Sequence, residues 1–194
     1  MFADVLLNSL IKNIVEIESV YPPYIYSIKY DETQLNEFER LLEEWRDLDK
    51  SIDFFTHNQT YLQSEFWSHI SDPEIAAEQV NEEADDLELL FYNLFQNTEK
   101  SQDPDFDSHF KFLEGKYKFE FEYVPFKSYG SNRPSLIRMY AIKMDSNKYI
   151  IVGGGIKLCK TIQESPYLQD HIIQNIDRVR LWLRQNGIDK NDEL

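Results

Sequence analysis

The chain has 194 residues, enough for one domain of ordinary size or two small ones. An apolar share of 42 %, with 13 Phe and 12 Tyr, excludes an intrinsically disordered chain. The single cysteine, Cys159, excludes an internal disulfide, and no window approaches the roughly 18 apolar residues that a membrane span needs. The first residues also lack the basic start and cleavage site of a signal peptide, so we expect a cytoplasmic protein without a membrane partner.

The net charge of −15 is distributed unevenly along the chain. Residues 1–108 carry 6 Lys and Arg against 25 Asp and Glu, whereas residues 109–188 carry 13 against 7. The overall charge argues against nucleic-acid binding, because phosphate backbones attract cations. The basic part of the chain nevertheless leaves that function open.

The acidic part is predicted to be helical. Apolar residues between Leu6 and Ile17 recur at three- and four-residue steps, and Pro22-Pro23 ends this first helix. Thr33 is predicted to cap a second helix, and residues 51–67 to form a further helix with a turn. The apolar stripe of the second helix is Leu35, Phe38, Leu41, Leu42 and Trp45.

The clearest helix start lies at residues 72–74. Asp72 occupies an N-cap position, Pro73 the first helical position and Glu74 the positive first turn. Residues 97–108 are polar and contain Pro104, which predicts a linker. The buried face of the long helix between them is predicted to be Ile75, Ala76, Val80, Ala84, Leu87, Leu90, Phe91 and Leu94.

After the linker the apolar period changes to two. Aromatic residues alternate with charged ones from Tyr117 to Tyr123, which predicts a strand, and residues 125–134 are predicted to be a loop around Gly130. Residues 135–144 and 148–154 are predicted to form an antiparallel hairpin. Ser165-Pro166 is predicted to open a last helix, which Gly187 ends. The inward residues of that helix are Leu168, Ile172, Ile176, Val179 and Leu183.

These elements predict an α+β fold in four segments. An acidic helical region (1–96) and a linker (97–108) precede a small antiparallel sheet with a C-terminal helix (109–188). Residues 189–194 form an acidic tail.

Residues 154–161, GGIKLCKT, are similar to the phosphate-binding loop pattern G-x-x-x-x-G-K-[ST], but Cys159 stands where the second glycine belongs. In that loop a helix begins at the Lys-Thr pair, whereas here the helix signal comes later, at Ser165-Pro166. The sequence therefore favours a strand that bends or bulges at Gly153–Gly155 over a nucleotide site.

The basic residues around this stretch have the parts for phosphodiester chemistry. Arg138 and Tyr140 are two apart on a predicted strand and so share a face, and Lys157 and Lys160 follow the glycines. Guanidinium and ammonium groups would stabilise a pentacovalent transition state, while a phenol or amine could transfer protons. The alternative is a solvated basic surface.

Residues 135–166, followed by a basic amphipathic helix, resemble the RelE/ParE superfamily of toxin–antitoxin proteins, and in particular its phage-derived HigB branch. The resemblance covers roughly residues 110–186 and implies a RelE-like sheet with a C-terminal helix. It is carried by Arg138, Tyr140, Gly153–Gly155, Lys157, Lys160, Thr161 and Pro166.

The resemblance implies a ribosome-dependent messenger-RNA endonuclease that uses no metal or other cofactor and is restrained by a small antitoxin. Arg138 and Lys157 would stabilise the transition state, and Tyr140 would orient or transfer a proton. The expected phosphate and RNA contacts are Lys160, Arg133 and Lys143.

A non-enzymatic interaction protein of a mobile element is the alternative function. Glu74, Glu78 and Glu82 form a ladder of like charge on one helix face, which is either solvated or docks on a cationic surface. That surface is either a basic partner or the basic part of this chain, and in the second case high salt should separate the two parts. The four histidines, His57, His69, His109 and His171, have no metal-ligand spacing.

Overall fold

The computed structural model describes residues 14–31, 33–67, 70, 72–99, 104–113, 123–132, 134–159, 161, 164–165 and 168–188. Six strands and six α-helices lie in these ranges, with a 3-10 turn at Glu65–Trp67. The strands are β1 (Ile14–Tyr21), β2 (Ile25–Tyr30), β3 (Lys111–Phe112), β4 (Val124–Tyr129), β5 (Ile137–Asp145) and β6 (Lys148–Ile156). The helices are α1 (Glu37–Arg46), α2 (Leu48–His57), α3 (Gln59–Leu62), α4 (Pro73–Glu99), α5 (Phe106–His109) and α6 (Gln169–Gln185).

The six strands form one mixed sheet in the order β1-β2-β6-β5-β4-β3. β2 pairs with β6 in parallel, and the other neighbouring pairs are antiparallel. The predicted α+β class is confirmed. The prediction of a purely antiparallel sheet behind a purely helical N-terminal region is wrong, because the first two strands of the chain join the same sheet.

The predicted first helix is wrong over residues 14–17, which belong to β1, while residues 1–13 lie outside the described ranges. Ile14 and Ile17 are three apart, as in a helix, but they also pair with Tyr30 and Ile28 of β2. Isoleucine is β-branched and suits a pleated strand, so the same residues can form either a helix or a strand. The presence of a partner strand decides between the two. That partner, β2, was not predicted.

The helices α1 and α2 follow the predicted pattern with one shifted cap. Asn36, rather than Thr33, caps α1, since its side chain accepts a hydrogen bond from the Glu39 amide at 3.1 Å. The Thr33 hydroxyl instead donates to the carbonyls of Tyr30 and Leu35. The helical residues of the predicted stripe, from Phe38 to Trp45, are buried.

Both ends that carried a clear sequence signal are confirmed. The Asp72 carboxylate accepts from the Glu74 amide at 2.8 Å, and α4 begins at Pro73. At the end of α6, Gly187 has a φ of +65°, which favours glycine. Most of the predicted buried face of α4 is confirmed, but Ile75 is an error, because it is 55 % exposed.

The sheet has helices on both faces. α1, α2 and α4 pack on one face, and α6 packs on the other. Glycines in β6 let both layers approach: a Cβ on Gly154 would lie 2.8 Å from Leu41 of α1, and one on Gly155 would lie 2.7 Å from Leu168, which immediately precedes α6. A bulge is present as predicted, but its extra residue is Val152, immediately before the predicted Gly153–Gly155; Gly153 follows it with φ +153°.

The second half of the chain is partly as predicted. The hairpin β5–β6 is confirmed, with Asn147 at φ +56° in its turn. The predicted loop at 125–134 is wrong in its first half, which forms β4, and the predicted strand at 117–123 falls almost wholly outside the described residues. No helix in the described ranges is long and apolar enough to cross a bilayer.

The division of the chain into segments stays a prediction. Two features bear on it: β2 and β6 pair across the predicted linker, and within residues 97–108 the side chain of Phe106 is completely buried.

Candidate functional site

Three strand-borne cations meet on the α6 face of the sheet. Arg138 of β5 lies opposite Tyr129 of β4, and Tyr140 lies opposite Lys127. On the other side Arg138 pairs with Gly155, and Lys157 follows two residues later with its amide bonded to the Leu136 carbonyl at 2.7 Å. Alternation along each strand therefore projects Lys127, Tyr129, Arg138 and Lys157 from one face. We call these four residues the basic face.

The basic face is organised around one aromatic ring. The Arg138 guanidinium lies 4.3 Å from the centroid of the Tyr129 ring, and the Lys127 ammonium lies 5.9 Å from the same centroid. Contacts of this kind are attractive because the ring face is electronegative. Tyr129 therefore lies among the cations of this face.

Lys157 has the most perturbed amine of the site. Burial, and after it the charges of Arg138 and Lys127, together lower the pKa of Lys157 to about 8, against smaller opposite effects of Cys159 and Glu164. An amine with a pKa near 8 exists in both protonation states close to neutral pH. It can therefore accept or donate a proton as well as carry charge.

Arg138 also has a structural role. It is only 6 % exposed, and its Nη1 donates to the carbonyls of Ser135 at 2.9 Å and Ile137 at 2.5 Å. The guanidinium thus fixes the backbone at the start of β5. This arrangement leaves Arg138 to act on a ligand mainly through its charge.

A buried carboxylate holds the same backbone from the opposite layer. Glu83 of α4 is completely buried, and its Oε2 accepts from the Leu136 amide at 3.0 Å, the Ile137 amide at 3.2 Å and the Ser135 hydroxyl at 2.7 Å. A Cβ on Gly130 would lie 2.2 Å from that oxygen, so only glycine leaves room for it. The burial of Glu83 was not predicted from the sequence, because nothing in the local pattern distinguishes it from the exposed acidic residues of the same helix.

The structure brings together only part of the predicted site. Tyr140 shares the face of Arg138, as predicted, but it is 1 % exposed in the core under α6, where burial raises the pKa of its phenol. Tyr129 is the tyrosine next to the cations. Neither Tyr129 nor Lys127 was predicted, since their K-x-Y alternation lay in a segment assigned to a loop. Arg133 and Lys160 lie outside the described residues.

Lys143 is separated from the basic face. It lies one residue out of phase on β5, on the side of α4, and pairs with Asp107 at 2.7 Å. Asp107 also accepts from the Tyr149 hydroxyl at 2.7 Å and the Asn147 amide at 3.0 Å. Burial opposes ionisation of Asp107, but the hydrogen bonds from Lys143, Tyr149 and Asn147 hold the pKa of Asp107 below its usual value. Lys143 thus occupies a structural ion pair.

The acidic ladder and the glycine-lysine stretch also lie apart from the predicted arrangement. Glu74, Glu78 and Glu82 are exposed on α4, which packs on the opposite side of the sheet from the basic face. The ladder therefore does not cover the basic face, and its docking to a partner stays a prediction.

In the glycine-lysine stretch, β6 runs on to Ile156 and α6 begins at Gln169. No described helix starts at the Lys-Thr pair, which agrees with the prediction that this stretch is the end of a strand and not a phosphate-binding loop. Among the described residues no group of three His, Cys, Asp or Glu could hold a metal ion.

A second feature is a cleft of about 1030 Å³ between α1, α2 and α6. Its floor is the end of β6, from Gly154 to Ile156. One wall carries acidic residues of α1, including Glu43 and Glu44, and the other carries His171, Asn175 and Arg178 of α6. No sequence pattern indicated this cleft, because its walls come from distant parts of the chain.

Comparison of the chain with protein-family models, with curated proteins and with solved structures gives no match.

Proposed function

We propose that this chain binds RNA at the basic face and cleaves it as an endoribonuclease of the RelE/HigB type, without a metal. The observation that carries the proposal is the half-buried amine of Lys157 beside the charges of Arg138 and Lys127. The resemblance of residues 135–166 to the RelE/ParE superfamily supports the same reaction. A small antitoxin would be the implied partner.

In the proposed reaction the ribose 2′-hydroxyl attacks the adjacent phosphorus. Neutral Lys157 accepts the hydroxyl proton while the bond from phosphorus to the 5′-oxygen breaks. The products are a 2′,3′-cyclic phosphate and a 5′-hydroxyl, which takes its proton from solvent. Lys127 and Arg138 stabilise the charge that develops on the phosphate, and the exposed part of Tyr129 offers a surface on which a base can stack.

The test compares cleavage of total RNA, with and without ribosomes, by the wild type and by Lys157→Met. Lys157 is the better target than Arg138, because Arg138→Ala would also release the backbone of β5. We expect a loss of at least about a hundredfold, the usual size of a proton-transfer contribution. The control is Lys50→Gln, which removes a cation that is 74 % exposed on α2, on the opposite side of the sheet from the basic face. Equal cleavage by wild type and Lys157→Met would refute the catalytic role.

The pH dependence gives a second test. If neutral Lys157 is the base, the rate should rise from pH 7, reach half its maximum near 8, the pKa of its amine, and level off about one pH unit higher. A rate that falls across this range would instead mean that the protonated amine is required, as an acid or as a charge.

The alternative is an interaction protein that binds without cleaving, and one observation favours it. Two of the three predicted catalytic residues, Arg138 and Tyr140, are 6 % and 1 % exposed. A wild-type protein that binds single-stranded RNA with a salt-dependent affinity but leaves it intact would support this alternative. A protein that neither binds nor cleaves RNA would refute both hypotheses for the basic face, cleavage of RNA and binding without cleavage.

A further inference from the structure

The cleft between α1, α2 and α6 contains an open stretch of sheet edge. β2 pairs with β6 only as far as Ser27 and Ile151, and the Tyr30 hydroxyl then donates to the Val152 carbonyl at 3.2 Å. Beyond this point β6 continues to Ile156 with β5 on one side and the cleft on the other. The cleft lies where a strand would run if the pairing on this side of β6 continued beyond Ile151.

The direction of the backbone groups along this stretch follows from the register. Lys157 donates to Leu136 at 2.7 Å, so the hydrogen-bonded pairs with β5 are those of Lys157, Gly155 and Gly153. The N–H and C=O groups of Gly154 and Ile156 therefore point into the cleft. In the described part of the chain no group bonds to them there. Exposed strand edges of this kind accept a further strand.

The cleft has the dimensions of an extended segment. Its volume of about 1030 Å³ is at the upper end of the range for small-molecule pockets, which leaves room for several residues. Because strands rise about 3.3 Å per residue, Gly154 and Ile156 present their groups about 6.6 Å apart. One strand can thus bond to both through alternate residues.

The charges of the two walls differ. Residues 37–50, which form α1 and the start of α2, include six Asp and Glu against three Lys and Arg. Several of these acids are paired: Glu37 with Arg40 at 2.8 Å, Glu44 with Arg40, and Asp47 with Lys50 at 2.8 Å. Glu43 lines the cleft, is exposed and makes no ion pair within the described residues. The opposite wall carries Arg178 and His171 beside Asn175 and the apolar Ile172, so a basic side chain is disfavoured on that side.

We propose that the cleft binds an extended segment of a partner protein, which adds as a strand to Gly154 and Ile156. Side chains of an added strand alternate between the two helix layers. Those that face α1 are basic and meet Glu43, and those that face α6 are neutral. This site is independent of the basic face, since Lys157 projects from the sheet beyond the cleft floor.

Two measurements test the proposal on the full chain. Random seven-residue peptides are displayed on phage and selected on the immobilised protein, and the enriched peptides are synthesised. Their affinities are measured for the wild type, for Glu43→Lys and for the control Glu39→Lys, which makes the same charge change at an exposed position of α1 that does not line the cleft. Backbone amide exchange is followed by NMR, with and without the tightest peptide.

We expect enriched peptides with basic residues at every second position. Their affinity should fall about fivefold or more in Glu43→Lys, stay within about twofold in Glu39→Lys and be unchanged in Lys157→Met. The amides of Gly154 and Ile156 should exchange faster than those of Gly153 and Gly155 in the free protein, and peptide should slow them.

Three results would overturn the proposal. No enriched peptide, or peptides without the alternating basic residues, would exclude the partner segment. Slow exchange at Gly154 and Ile156 in the free protein would mean that the chain already pairs with its own edge. Peptide binding that leaves these two amides unprotected would place the peptide elsewhere.

Discussion

Removing the Glu83 carboxylate should destabilise the protein more than the loss of any exposed acid on the same helix. Glu83→Ala leaves the amides of Leu136 and Ile137 without their acceptor, and both residues are completely buried. A buried donor without a partner costs about 1–3 kcal/mol. The Ser135 hydroxyl loses less, because it also donates to the Ile137 carbonyl at 3.1 Å.

Two unpaired amides therefore cost about 2–6 kcal/mol. The substitution also removes a buried carboxylate, whose burial is itself unfavourable, and this offsets part of that cost. We expect a net loss of about 3 kcal/mol in the free energy of unfolding. For a chain of this length that lowers Tm by about 6–12 °C. Glu83→Gln keeps one acceptor oxygen and should cost less than half as much.

The assay is urea unfolding followed by tryptophan fluorescence, with thermal unfolding alongside. Glu82→Ala is the matched control, since Glu82 is the exposed neighbour on α4, and it should stay within about 0.5 kcal/mol of the wild type. A Glu83→Ala variant within 1 kcal/mol of the wild type would refute the reasoning.

Three further predictions concern the charges and the close packing of the sheet. Lys157→Met should raise Tm at pH 7, because the low pKa of about 8 means that burying the charged amine costs stability. The gain in Tm should vanish near pH 10.5, where the amine of the unfolded chain also loses its proton, and a gain that stays constant with pH would contradict this. Asp107→Asn should lower the free energy of unfolding at pH 7 by about 1–3 kcal/mol. This loss should shrink as the pH falls below about 4, because a carboxylate of lowered pKa stabilises the fold only while it is ionised. Urea titrations that give equal losses at pH 3 and pH 7 would contradict the prediction. Gly154→Ala should cost about 1–3 kcal/mol in the free energy of unfolding, because its Cβ would lie 2.6 Å from the Arg138 carbonyl oxygen. Gly187→Ala should cost less, because nothing lies within 4 Å of that Cβ and only the φ of +65° opposes the substitution. Calorimetry of the two variants compares these costs.

Local signals predicted the parts of the fold that depend on neighbouring residues. The start of α4 at Asp72-Pro73 and the end of α6 at Gly187 are set by hydrogen bonds within a few residues, so the sequence pattern suffices there. The same holds for the turn at Asn147.

Pairing between distant segments was not predictable from local pattern. β1 has apolar residues at helical spacing and becomes a strand because β2 lies beside it. β4 contains Pro125, which reads as a loop, yet it pairs with β5 along its whole length. The basic face was predicted as far as Arg138 and Lys157, which lie on correctly assigned elements. Its other two members were missed with β4.

The parallel pairing of β2 with β6 has a consequence for how the protein acquires its structure. β2 ends at residue 30 and its partner begins at residue 148, so this contact closes a loop of well over a hundred residues. During synthesis the amino-terminal hairpin must wait for nearly the whole chain before its place in the sheet exists. If the polypeptide is cut between the two strands, we expect the fragments to associate through this pairing and the shared apolar core, so that strong salt weakens their association little.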